Sequence, residues 1–339
     1  MSYADPELSL PGAERTGPTG RLLRASRAVF VGLTVAFAVV SYAGVALPLD
    51  AQAAVYLGLM GTVSLYHGGF EHVANLRGRG ESLQARYLGA YVGLLAAALW
   101  LFTVAPVAGL VVAVGITVLK AGHGGIAVRR RVRSGDGLGT WRARVVGAAV
   151  RGGAVMVVPY LAAPGVFSSV AYAMAGFFTS DPAVGWLFDP VRRGFVGGCY
   201  AGLVVAYLAA TRSTADPSAW RAEAVEVALL VAYFAVVPPV VAVGVYFPCW
   251  YATRQVARMT DGSPEATLSD ALRRVLRDGA LPWVGALAVL AGLVVWLPEP
   301  PASPVGWVAV YSVFVACVAV PHVVVGAWLD RTRGIWAVH

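Results

Sequence analysis

Residues 238–258 read PPVVAVGVYFPCWYATRQVAR. The first half is an apolar run of the kind that fills a bilayer. The second half gains Tyr246, Trp250, Tyr251, Arg254 and Gln255. A charged side chain at the centre of a membrane helix costs about 3 kcal/mol on insertion scales, so polar groups here mark a packed interior or a site. The stretch reads as the end of a membrane helix that carries a polar layer, and the rest of the chain is consistent with that.

Of 339 residues, 58% are hydrophobic and 13% charged, and the mean hydropathy is +0.69. A soluble chain of this length could not place so much apolar surface out of water. Long uncharged runs recur from residue 28 to residue 328, which predicts an all-α, polytopic membrane helix bundle. Cys199, Cys249 and Cys317 lie in apolar segments without metal or disulfide spacing, as small packing residues do. The net charge of +8 is mostly loop arginine. In a membrane protein such charge sets orientation and implies no nucleic-acid partner.

Ten candidate spans follow: 28–48, 51–73, 87–105, 107–128, 145–163, 165–180, 194–211, 222–250, 281–297 and 305–328. The sixth is short for the roughly 20 residues that a bilayer requires, which leaves it open as a full span or as a re-entrant or tilted segment. Loops 74–86, 129–144 and 254–280 are basic, whereas the turns near 49–50, 106, 164 and 298–304 carry no Lys or Arg. Ten spans put every basic loop and both termini on one side, the cytoplasmic side of the cell membrane. Residues 1–20, rich in Pro, Gly and Glu, read as a disordered tail. Residues 21–50 read as a retained first helix rather than a signal peptide, because membrane sequence continues at once. Residues 51–339 form the remaining helical domain. Residues 264–279 read as a short amphipathic helix at the interface. No internal repeat is visible.

Four of five histidines, His67, His72, His123 and His322, fall in or at the ends of spans. At about 1.5 Å rise per residue, His67, His123, Tyr251, Gln255 and His322 lie within roughly 15 Å of the cytoplasmic boundary. Polar side chains from four helices at one level are how a bundle builds a buried site. His67 and Glu71 share a helix face, four residues apart, so Glu71 is placed to accept the second N–H of His67. His72, five residues on from His67, points elsewhere. A single membrane histidine is as readily a helix–helix hydrogen bond worth about 1 kcal/mol. Arg151, Glu223 and Glu226 are the remaining intramembrane charges and read as structural, with the glutamates near the outer rim.

Four stretches resemble the Brp/Blh family of membrane-bound β-carotene dioxygenases, which form retinal: YHGGFEH at 66–72, RGGAVMVVPYLAAP at 151–164, PPVVAVGVYFPCWYATRQ at 238–255 and VPHVVVGAWLD at 320–330. The similarity runs from about residue 55 to 336, so the first span is additional to it. The resemblance implies a four-histidine non-haem iron site, with Fe(II) activating O2 against the central double bond of a C40 carotenoid. Neutral imidazoles suit Fe(II). By the same resemblance His67 matches the first ligand. Lys120 stands at the second, with His123 a nearby histidine in another register, and Gly125 replaces an acid. Tyr251 and Gln255 stand where the third and fourth histidines belong, while Trp250 and Arg254 keep the frame. Glu71, His72, Tyr246, Trp250, Arg254 and His322 line the expected pocket.

An ammonium cannot ligate, an amide carbonyl binds Fe(II) weakly, and tyrosinate favours Fe(III). Two readings therefore stand side by side: a carotenoid dioxygenase with an altered iron site, and a non-catalytic membrane homologue that binds carotenoid or retinal. The implied ligand is a carotenoid or retinal within membrane lipid, and a retinal-using membrane protein is the partner such a product implies. A third reading, a transporter or structural membrane protein, finds support in the broken helix at Pro238-Pro239.

Overall fold

The structure is a computed structural model that describes residues 18–77, 85–132, 136–260 and 268–329. Every regular element among the described residues is helical. In chain order these are α1 (Pro18–Tyr42), α2 (Leu49–Leu59), α3 (Leu65–Arg77), α4 (Ala85–Val104), α5 (Pro106–Val132) and α6 (Trp141–Ala162). They are followed by α7 (Pro164–Gly176), α8 (Pro190–Arg212), α9 (Pro217–Val236), α10 (Pro239–Val245), α11 (Thr253–Thr260), α12 (Leu268–Trp296) and α13 (Pro304–Leu329). A π-helical turn, Met60–Ser64, joins α2 to α3, and a second, Tyr246–Ala252, joins α10 to α11.

Proline at the first position starts α5, α7, α8, α9, α10 and α13. Its missing N–H is one of the four that a helix start leaves unpaired. Asp189 adds a cap to α8, accepting from the amides of Val191 and Arg192 at 3.0 and 3.1 Å.

The bundle exposes large apolar side chains on its outside and buries several charged ones within its apolar core, unlike a soluble protein. Val295 is 85% exposed and Trp100 64%, whereas Arg151 is 3% exposed and Glu223 and Gln255 1% each. Among the described residues six helices, α1, α5, α6, α8, α12 and α13, are long and apolar enough to cross a membrane. Only hydrocarbon surroundings make that arrangement favourable. The tightest helix pair is α5 with α6. A Cβ on Gly152 would sit 2.0 Å from the carbonyl oxygen of Val118, and one on Gly122 would sit 2.1 Å from that of Ala148. Glycine lets the two backbones touch.

Three segments differ from the sequence reading. The apolar run 222–250 is two antiparallel helices. Pro238 and Pro239 break it, with Val237 extended at ψ 134° as a residue before proline prefers. Glu226 on α9 consequently reaches Arg254 on α11, and the glutamates lie at the arginine-rich end of the bundle rather than at the opposite rim.

The second difference is α7, which follows directly on the end of α6. Just past its end, Phe178 packs against Phe102 at the end of α4 and Trp296 at the end of α12. Both ends of α7 therefore lie at the end of the bundle remote from Glu223, Glu226 and Arg254, and the helix runs across that end. The third is the amphipathic segment. From Leu268 it is the first part of the continuous 29-residue α12, not a separate interfacial helix. The expected disordered tail lies outside the described residues up to residue 17.

Candidate functional site

The two π-helical turns pack against each other in the bundle interior. A π turn inserts one extra residue and re-aims the side chains beyond it. Pro248 has no N–H to give an α-helical ladder, and the widened turn accommodates that gap. Its carbonyl accepts from Thr253 Oγ1 at 3.0 Å. In the other turn the carbonyl of Gly61 accepts from Trp283 Nε1 at 2.8 Å. His67, just past the first turn, and Tyr251, within the second, stand with ring centroids 6.1 Å apart and nearly perpendicular planes.

A face of α5 closes the site. Lys120 Nζ lies 5.7 Å from the centre of the Tyr251 ring. One turn further on, Gly124 faces both Tyr251 and Gln255. A Cβ there would meet Tyr251 Cε2 at 2.3 Å and Gln255 Nε2 at 2.5 Å. Gln255 is 1% exposed, and its Oε1 has no hydrogen-bond partner among the described residues. His123 stands about 100° around α5 from Gly124, so this face presents Lys120 and Gly124.

Across the bundle, Glu71 on α3 and His322 on α13 are hydrogen-bonded, with Nε2 and Oε2 3.1 Å apart. His67 and Lys120 lie close enough to Glu71 for their charges to act on it. The face shared by His67 and Glu71 is therefore present, and the cross-bundle partner of the carboxylate is His322. His72 is on α3 as expected, and its side chain lies outside the described residues. Around Tyr251 the structure gathers an imidazole, an ammonium and an amide. Among the described residues no three His, Cys, Asp or Glu side chains form a group suited to a metal ion.

Beneath this layer lies an ionic network that sequence reading did not foresee as one unit. Glu226 accepts from Arg27 at 2.6 and 2.9 Å, from Arg151 at 2.9 Å, and from Arg254 at 3.0 and 3.2 Å. Glu223 pairs with Arg151 and Arg129, and accepts from the hydroxyl of Tyr207 at 3.0 Å. Six helices meet here: α1, α5, α6, α8, α9 and α11. Arg254 also donates to Ser26 Oγ at 3.1 Å and stacks 3.5 Å from the centre of the Trp250 ring. Phe30 completes the wall, 4.6 Å from Trp250 and 4.0 Å from Tyr233 between ring centres. Tyr246 packs on Phe234 and Phe247 in the same aromatic cluster. Arg254 thus anchors the segment that carries Tyr251 and Gln255. The one legible hint was the coincidence of Arg151, Glu223 and Glu226 in otherwise apolar runs.

On the other side of the π turns is an apolar cavity of about 370 Å³. It lies between α5, α6, α7, α10 and α13, and residues 56–60 form part of its wall. On α5 its lining follows the helical repeat through Leu110, Val114 and Thr117, and the same face continues to Lys120. Phe247, also in the lining, packs on Tyr251 at 5.9 Å between ring centres. The cavity therefore ends at the polar layer.

Comparison with known proteins finds relatives along most of the chain. The model of the family described as beta-carotene 15,15'-dioxygenase matches residues 58–330. A Halobacterium salinarum protein named "Probable beta-carotene 15,15'-dioxygenase Brp" is 45% identical over 339 residues, covering 93% of this chain and 94% of its own. A second from that organism, "Probable beta-carotene 15,15'-dioxygenase Blh", is 37% identical over 303 residues, covering 85% of each chain. No solved structure matches the chain. A helical membrane bundle matched over nearly its whole length by such relatives belongs to the beta-carotene 15,15'-dioxygenase family.

Proposed function

We propose that this protein takes a C40 carotenoid of the β-carotene class from the lipid phase into the apolar cavity and brings the polyene to the His67–Tyr251 layer for oxidative central cleavage to retinal. The observation that carries this reading is the continuity of cavity and polar layer along α5, from Leu110 to Lys120, and from Phe247 to Tyr251. An apolar polyene is driven into such a cleft by the same transfer from water that keeps it in the bilayer. The names of the two relatives supply the reaction class.

The donor set here does not fit the four-imidazole iron centre that the family resemblance implies. Lys120 presents an ammonium, Tyr251 a phenol and Gln255 an amide where imidazoles would stand. His67, Tyr251 and the buried Gln255 Oε1 are oxygen and nitrogen donors of mixed strength for Fe(II). This misfit favours a second reading: the chain binds a carotenoid or retinal without cleaving it. Expression in a β-carotene-accumulating bacterium separates the two. Loss of colour with retinal formed supports cleavage. Undiminished colour with pigment held by the purified protein supports binding alone.

The same proposal includes the topology. Ten crossings, formed by α1, the α2–α3 unit, α4, α5, α6, α8, α9, the α10–α11 unit, α12 and α13, leave both termini on the cytoplasmic side of the cell membrane. The hairpin at Pro238 adds a crossing and the surface course of α7 removes one, so the parity expected from the charge pattern is kept. The family domain then takes in the residues that the family model matches, 58–330, with α1 tied to it through Arg27.

A further inference from the structure

Twenty-six residues of this chain are Lys or Arg, and only one of them, Lys120, is lysine. Every other strong cation, in the loops and in the buried network alike, is arginine. The sole lysine lies one helical turn beyond Thr117, the last α5 residue in the cavity wall, half-buried, with its amine 5.7 Å from the centre of the Tyr251 ring and within the field of the Glu71 carboxylate. A charge needed only for pairing could equally be arginine, as Arg151 and Arg254 are here. What lysine alone offers is a primary amine that condenses with aldehydes.

We propose that Lys120 forms an imine with a polyene aldehyde, retinal, seated in the cavity. This rests on the carotenoid reading above. The step is a condensation: the ammonium first cedes a proton, the neutral ε-amine adds to the aldehyde carbon, a C=N bond replaces C=O, the oxygen leaves as water, and the imine nitrogen takes up the proton. No oxidant or reductant is involved. Along α5 the stretch from Leu110, in the cavity wall, to Lys120, one turn past its end at Thr117, is about 15 Å long at 1.5 Å per residue, which accommodates an extended C20 polyene. Its far end meets Met174 and Phe167 of α7. Glu71, held by His322 at 3.1 Å, is the carboxylate placed to balance the charge of a protonated imine, a role that intramembrane acids take beside bound cations.

The test uses the full chain, purified in mild detergent and incubated with all-trans-retinal, then treated with sodium borohydride to convert imine to stable amine. Intact mass and peptide mapping are the readouts. The result expected is one retinyl group per chain, mapped to the peptide containing Lys120 and absent from Lys120→Arg. Because a substitution could disturb the site, a second variant keeps an amine elsewhere. Lys120→Arg combined with Val205→Lys, on the lipid-facing side of α8, is expected to label at least about tenfold less than the original chain. Equal labelling of that variant, or an adduct only at the N-terminus, overturns the proposal. Retinal retained by the protein without any covalent adduct also overturns it, while leaving the carotenoid reading intact. A chain that holds neither β-carotene nor retinal overturns both.

Discussion

Glu226 and Arg254 are 28 residues apart in the chain, yet their side chains meet through two hydrogen bonds of 3.0 and 3.2 Å. This pair folds α9 against the α10–α11 unit and fixes the height of Gln255 and Tyr251. Glu226 also neutralises Arg27 and Arg151. The polar layer around Tyr251 is therefore held in place by a charge cluster that it does not include.

Glu226→Gln removes the negative charge shared by three arginines. Breaking a buried ion pair on one side costs about 3–5 kcal/mol. We expect a large fall in thermal midpoint in detergent and low yield in membranes. Glu226→Gln at the stability of the original chain would show that the cluster is not needed for folding.

Gly124 is the close-approach position on α5. Gly124→Ala puts a methyl group 2.3 Å from Tyr251, so Tyr251 and Gln255 must shift. Overpacking of this kind costs about 1–3 kcal/mol. Gly115→Ala, with nothing within 4 Å of its Cβ, is the control, and should be neutral or gain up to about 1 kcal/mol of helix propensity. Differential scanning fluorimetry of both variants reads the contrast, and equal midpoints would contradict the geometry.

The cavity makes its own prediction. Val114→Trp fills the α5 wall without touching the polar layer, so pigment recovered per mole of protein should fall about tenfold, equivalent to about 1.4 kcal/mol of binding. The thermal midpoint of the unliganded chain should change little. Unaltered pigment recovery would place the ligand elsewhere.

Sidedness tests the hairpin. In a chain with its three cysteines replaced by alanine, Asp181→Cys should react with a membrane-impermeant maleimide in intact cells, and Ser213→Cys only after lysis. A continuous span over 222–250, together with a crossing at 165–180, requires the opposite pattern.

Much of this fold is legible in the sequence, since uncharged runs and arginine-rich loops delimit helices without tertiary information. The run 222–250 misleads because hydropathy is blind to direction. Its glutamates look remote from Arg254 until Pro238 and Pro239 are allowed to reverse the chain. The level shared by His67, Tyr251, Gln255 and His322 follows from counting residues from helix ends. The Glu71–His322 bond does not, because it depends on the packing of two helices 251 residues apart. The π turns escape detection for a related reason: Pro248 signals a disturbed ladder, but not which way the helix resolves it. Arg151 reads from sequence as a structural charge without a named partner, and packing makes it an ionic anchor and the adjacent Gly152 a backbone contact.

The most direct measurement of the central claim is pigment analysis of the chain expressed in a β-carotene-accumulating bacterium, comparing the original protein with Val114→Trp. We predict either retinal in the membranes or carotenoid co-purifying near one per chain, and loss of that signal in the variant. A colourless purified protein, with host β-carotene undiminished and no retinal formed, would contradict the account.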